Sequence, residues 1–88
     1  MAQTRGLRHG RVYHFSGGSV GVCFLSNPQV DNQPVRAELA VLPHGESERQ
    51  VVVHAGERFT VGPETWVVER FDNAGTYDYV VWIAKVSG

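Results

Sequence analysis

The sequence is poor in the residues that most readily announce a function. It has a single cysteine, Cys23, so no disulfide can close within the chain and no Cys-x-x-Cys or Cys/His zinc pattern exists. Eight basic residues against nine acidic ones leave a net charge of −1, without the basic excess on which nucleic-acid binding rests. No apolar run approaches the roughly 18 to 20 residues a membrane-spanning helix needs. No window of 11 residues places apolar side chains at i, i+3, i+4 and i+7, which removes the amphipathic helix as a building block. Met1 to Gly10 is polar and basic with Leu7 its only large aliphatic residue, so the apolar segment of a secretory signal is missing. These absences predict a cytoplasmic protein, or one exported by another route, that binds neither nucleic acid nor membrane.

What is present is β-forming. Fifteen Val, one Ile and four Thr give twenty β-branched residues, against four Leu. Ten Gly and four Pro punctuate the chain at short intervals. The pattern predicts an all-β fold, a small antiparallel β-sandwich or partly open barrel of six to seven strands. Strands are expected at residues 11–15, 20–25, 35–42, 49–54, 58–61, 65–71 and 77–86, with a polar loop over 26–34. Residues 1–8 read as a mobile N-terminal tail and 9–88 as a single domain. A chain of this size buries only about 64% of its unfolded surface, leaving roughly 5,100 Å² accessible. So thin a core predicts help from a partner, and a homodimer is expected.

The last three strands can be aligned by argument. Gly62-Pro63-Glu64-Thr65 reads as a four-residue turn pairing Val61 with Trp66 and Phe59 with Val68. Pairing Phe71 with Tyr77 across the loop at 72–76 sets Arg70 opposite Asp78 and Val68 opposite Val80, and avoids a Glu69–Asp78 like-charge pair. In this register Phe59, Val61, Trp66, Val68, Val80, Trp82 and Ala84 form a core face. The opposite face carries Glu69, Phe71, Tyr77, Tyr79, Val81 and Ile83 and is also largely apolar, so it too must be covered, by other strands, a second subunit or a ligand.

Catalytic and metal constellations are sparse. His9, His14, His44 and His54 contain no His-x-His pair, and no metal or other cofactor is expected. No Gly-x-Ser-x-Gly elbow surrounds any serine. Gly17-Gly18-Ser19-Val20-Gly21 runs into a Val-rich stretch and reads as a hairpin turn, because a phosphate cradle needs a helix start behind it. Cys23, between Val22 and Phe24, reads as a buried small hydrophobe. Glu69 among aromatic residues is a candidate for a raised pKa, or for a carboxylate bonded to a tyrosine hydroxyl at the sheet margin.

His54-Ala55-Gly56-Glu57-Arg58-Phe59-Thr60-Val61-Gly62, Trp66-Val67-Val68 and Tyr79-Val80-Val81-Trp82 form a pattern that resembles short all-β proteins of uncharacterised actinobacterial families. Seven Arg to one Lys fits a GC-rich genome. The resemblance spans residues 54–86 and implies a compact β fold without naming functional residues.

Three functional classes follow. The first is a non-catalytic small-molecule-binding or accessory protein. Its groove would be built from Phe71, Tyr77, Tyr79, Val81 and Ile83 with Glu69 beside them, taking a small apolar or aromatic metabolite, as in bacterial specialised metabolism. The second uses the same face as a homodimeric interaction surface. The third is a small isomerase or cyclase with Glu69 or His54 as its base.

Overall fold

A computed structural model describes residues 3–30 and 32–87. Eight strands are present among them: β1 (Thr4–Leu7), β2 (Val12–Phe15), β3 (Gly18–Leu25), β4 (Arg36–Pro43), β5 (Arg49–His54), β6 (Arg58–Val61), β7 (Glu64–Asp72) and β8 (Val80–Ser87). They form two four-stranded sheets, β1-β8-β7-β6 and β2-β3-β4-β5, in which every neighbouring pair is antiparallel. The sheets pack face to face as a sandwich and do not close into a barrel. Among the described residues there is no helix, and so none long and apolar enough to cross a membrane.

The chain leaves the first sheet after β1, lays down β2 to β5 as a meander, and returns for β6 to β8, so that β8 closes against β1. Alternation explains the burial. Ala37, Leu39 and Val41 of β4 are fully buried, and they meet Val20 and Val22 of β3 and Phe59, Val61, Trp66 and Val68 of the facing sheet. Phe15 meets Trp66 edge to face at 5.1 Å between ring centroids. Two arginines tie the open sides together. Arg5 of β1 donates to the His14 carbonyl at 2.7 Å and lies 4.2 Å from the Phe15 ring centroid. On the other side Arg49 of β5 donates to the carbonyl and hydroxyl oxygens of Thr60 at 2.7 and 2.9 Å.

The eighth strand is one the sequence reading assigned to a tail. Residues 4–7 are paired with β8, and Leu7 is completely buried. Their polarity misled because β1 alternates: Leu7 enters the core, while Gly6 lies against Val80 and the Trp82 indole on the outer face. Residues 1 and 2 of the expected tail lie outside the described residues, as does residue 31 of the expected loop.

The register of the last hairpins also differs from expectation. Gly62 and Pro63 alone make the β6–β7 turn, so Val61 pairs with Glu64 and Phe59 with Trp66. Gly62 has φ 59° and Pro63 fixes a negative φ after it, the combination a type II′ hairpin turn requires. In the β7–β8 pair the register shifts between Val68 and Arg70, where Val68 opposes Ile83, Arg70 opposes Trp82 and Phe71 opposes Val81. Glu69 is the extra residue of this bulge. The bulge inverts the expected faces: Val81 and Ile83 are fully buried between the sheets, whereas Trp82 lies outside with the Arg70 guanidinium 5.1 Å from its ring. The second apolar face is therefore covered by the other sheet. Charge avoidance chose the wrong register because Asp78 is not in a strand at all.

One end of the sandwich holds a buried ion pair. Glu64 is 3% exposed, and its Oε2 lies 2.9 Å from Lys85 Nζ. The Lys85 hydrogen bond holds the carboxyl below its usual range, against the upward push of burial. The β2–β3 turn closes over this end. A Cβ on Gly17 would fall 2.2 Å from the Val61 carbonyl oxygen, so only glycine lets the two turns touch.

Candidate functional site

At the opposite end three connections converge. The first, residues 8–11, carries the chain from β1 to β2. It is held by Arg8 N–H donating to the Tyr13 hydroxyl at 2.8 Å and by Gly10 N–H donating to the Val22 carbonyl at 3.1 Å, with Gly10 at φ 78°. His9 Nε2 lies 3.2 Å from the Cys23 carbonyl oxygen. The second follows β3: Ser26 N–H donates to the Arg36 carbonyl at 3.0 Å, Arg36 N–H returns to Ser26 Oγ at 2.9 Å, and Asn27 Oδ1 accepts from Gln29 N–H at 2.9 Å. The third, residues 73–79, is two successive turns. Asn73 sits at φ 57°, its carbonyl accepts from Thr76 N–H at 3.1 Å, and the Thr76 carbonyl accepts from Tyr79 N–H at 3.3 Å. This longer loop replaces the expected five-residue connection and presents Tyr77 and Tyr79 together.

Between these connections lies a groove of about 610 Å³. Its lining falls into two chemical halves. Arg8, His9 and Arg11 are cationic or potentially so, and Phe24, Leu25, Tyr77 and Tyr79 are apolar or aromatic. Ser26, Asn27 and Thr76 supply neutral polar groups. Arg8 approaches Asp78 at 3.8 Å, a long pair with both side chains well exposed, worth little against solvent. The Arg11 side chain has no hydrogen-bond or ion-pair partner among the described residues. Tyr77 is fully exposed at the rim. Tyr79 is 5% exposed, and its ring meets Phe71 edge to face at 6.1 Å. Burial pushes the Tyr79 hydroxyl pKa up, and nearby Ser26 pulls it part of the way back. The contact with Ser26 falls short of good hydrogen-bond geometry, so the buried hydroxyl has no full partner among the described residues.

Of the six expected site residues, the structure brings two to this groove. Tyr77 and Tyr79 line it, and Phe71 stands behind Tyr79, half-buried against the core. Val81 and Ile83 are inside the sandwich, and Glu69 projects from the bulge, exposed and away from the groove. Arg8, His9, Arg11 and Phe24 were missed. The signal for the first three was a basic cluster around Gly10, a turn residue between charges.

The other candidates resolve into structure. Cys23 is exposed, not buried, at the register shift between Val22 and Phe24 in β3. His54 is paired with Glu57, whose Oε1 lies 2.7 Å from His54 N and 2.9 Å from its Nδ1. That side-chain hydrogen bond, chiefly, lowers the Glu57 pKa. Among the described residues no three His, Cys, Asp or Glu side chains are grouped to hold a metal ion. The glycine-rich stretch at 17–21 starts β3 as a hairpin partner of β2.

No curated protein and no solved structure matches the chain. A family of unknown function, DUF6406, matches residues 2–87, and the chain belongs to it.

Proposed function

We propose that this chain is a non-catalytic small-molecule-binding or accessory protein that takes its ligand in the groove between residues 8–11, the end of β3 and the loop at 73–79. The observation that carries the reading is the groove itself. Its volume of about 610 Å³ falls within the roughly 300 to 1,000 Å³ of small-molecule sites. Its lining pairs aromatic surface with polar and cationic side chains and is more polar than the predominantly apolar lining common to such sites. The groove is more cationic than the largely apolar one, with Glu69 beside it, expected from sequence. The exposed thiol of Cys23 supports a reducing, cytoplasmic setting. Seven Arg to one Lys supports a GC-rich, actinobacterial source, where such a groove suits a specialised metabolite.

Thermal shift against a panel of small aromatic compounds tests the reading. A ligand at a hundred times its Kd stabilises by about 2.7 kcal/mol, or roughly 10 to 20 °C in a domain of this size. Tyr77→Ala should remove the shift without lowering the Tm of the free protein. Hits that stabilise wild type and Tyr77→Ala equally would refute it.

A homodimeric interaction module is the second reading, and a different surface supports it. Val12, Leu42 and Val52 are 64%, 43% and 52% exposed on the outer face of the β2–β5 sheet. Sedimentation at tens of micromolar gives twice the 9.7 kDa chain mass under this reading and the chain mass otherwise. A base-catalysed isomerase or cyclase draws no support from placement, since neither Glu69 nor His54 lines the groove.

A further inference from the structure

Resting on the reading of the groove as a small-molecule site, we propose that its ligand is a planar organic anion, an arylcarboxylate in chemical class. The carboxylate lies at Arg8 and Arg11, and the ring lies against Phe24 and Tyr77. Charge carries the first half of the inference. The whole chain has a net charge of −1, yet the groove lining contains two arginines and a histidine and no carboxylate. Asp78, just outside the lining, reaches Arg8 only at 3.8 Å with 78% of its side chain exposed, and Glu38 pairs with Phe24 across the strands. Arg11 has no partner of its own among the described residues. A guanidinium with free donors beside an apolar wall is a site for a carboxylate, because a charge-assisted pair gains strength where the wall excludes water.

Shape and surface carry the second half. Tyr77 is fully exposed, and Phe24 remains 38% exposed although it belongs to a strand. The Arg36 guanidinium lies 5.5 Å from the Phe24 ring centroid, so one side of that ring is already covered; a flat ligand covering its open side and Tyr77 would offset the cost of exposing them. The Tyr79 hydroxyl is buried deeper, beside Ser26, and lacks a full partner among the described residues. That hydroxyl has no accessible surface, so Tyr79 offers the groove the edge of its ring and not its oxygen. The lining thus runs from cations at 8–11 to aromatic rings.

The test compares two probes of nearly equal shape, indole-3-carboxylate and its neutral amide, indole-3-carboxamide, titrated into the full chain and followed by amide and arginine side-chain NMR. The acid should shift the resonances of Arg8, Arg11, Phe24 and Tyr77 and bind at least about tenfold more tightly than the amide. Raising the salt should narrow that ratio. Arg11→Gln should abolish the preference while leaving the spectrum otherwise folded. Asp78→Asn, which removes the competing carboxylate, should tighten the acid a few-fold and leave the amide unchanged, a gain that loss of structure cannot produce. Equal affinity of acid and amide at the groove overturns the anion inference and leaves the small-molecule reading standing. Shifts confined to residues outside the groove, or none at millimolar probe, overturn the inference, and the small-molecule reading is then decided separately by mass measurement on protein from its own host.

Discussion

Replacing Lys85 with methionine should destabilise the domain by about 3 kcal/mol, near the lower end for breaking a buried ion pair. Glu64 Oε2 and Lys85 Nζ are 2.9 Å apart, with 4% and 26% of their side chains exposed. At an effective dielectric of about 20 the attraction at 2.9 Å is about 6 kcal/mol, and it is offset by several kcal/mol of desolvation per ion. The intact pair therefore contributes little net, but its broken form leaves a carboxylate stranded under the β2–β3 turn. Lys85 keeps some contact with water, which sets the figure at the low end. In thermal unfolding the loss corresponds to roughly 12 to 24 °C. Glu64→Gln together with Lys85→Met removes both charges and should recover much of the loss. The pH dependence fixes the sign. The folded pKa of Glu64 is lowered, so its contribution is present above the unfolded value near 4.5 and fades as pH falls through the folded one. In Lys85→Met the chief lowering partner is gone while burial and the lesser Ser16 and Gly17 hydrogen bonds remain, so the folded pKa rises and the stability lost between pH 7 and pH 4 should shrink relative to wild type. Urea unfolding of both proteins between pH 4 and 8 measures this. A variant within 0.5 kcal/mol of wild type, with the same pH slope, would refute the argument.

Other substitutions test the packing. Gly17→Ala should cost about 1 to 3 kcal/mol in urea unfolding, because the added Cβ meets the Val61 carbonyl oxygen at 2.2 Å and backbone must move. Leu7→Ala should cost about 3 kcal/mol if residues 4–7 are a packed strand, since Leu7 is fully buried, whereas a free tail would show no change. Asn73→Val should cost about 1 to 2 kcal/mol more than Asn73→Gly, because φ is 57° there while both substitutions lose the Asn73 side-chain donation to the Asp78 carbonyl, and CD melts distinguish the two. Tyr77→Ala should leave stability within about 0.5 kcal/mol, as expected for a fully exposed side chain.

The fold class was legible because burial in a sheet writes itself in period two. Ala37, Leu39 and Val41 alternate with Arg36 and Glu38, and all three are buried as the pattern requires. The surface estimate held too: the chain exposes 5244 Å². Register was not legible from Gly62 onward: the turn there takes two residues and not four, and past Val68 a bulge of one residue flips every later side chain and leaves no compositional mark. That single shift moved Val81 and Ile83 from the expected site into the core and Trp82 out of it. β1 escaped notice because four residues with one aliphatic side chain carry too little alternation to be read. The site was half legible. Tyr77 and Tyr79 stood out as aromatic residues near a loop, but Arg8, Arg11 and Phe24 reach them only through the crossing from one sheet to the other, a long-range arrangement that no local pattern encodes.

The central claim is that the groove beside Tyr79 holds a small molecule. Native mass spectrometry on protein purified without denaturation from its own host tests it most directly. A bound ligand gives a mass above the 9.7 kDa chain by a few hundred daltons, with the excess absent from the Tyr77→Ala variant purified in the same way. A bare chain mass for the wild type, or an excess that Tyr77→Ala retains in full, would contradict it.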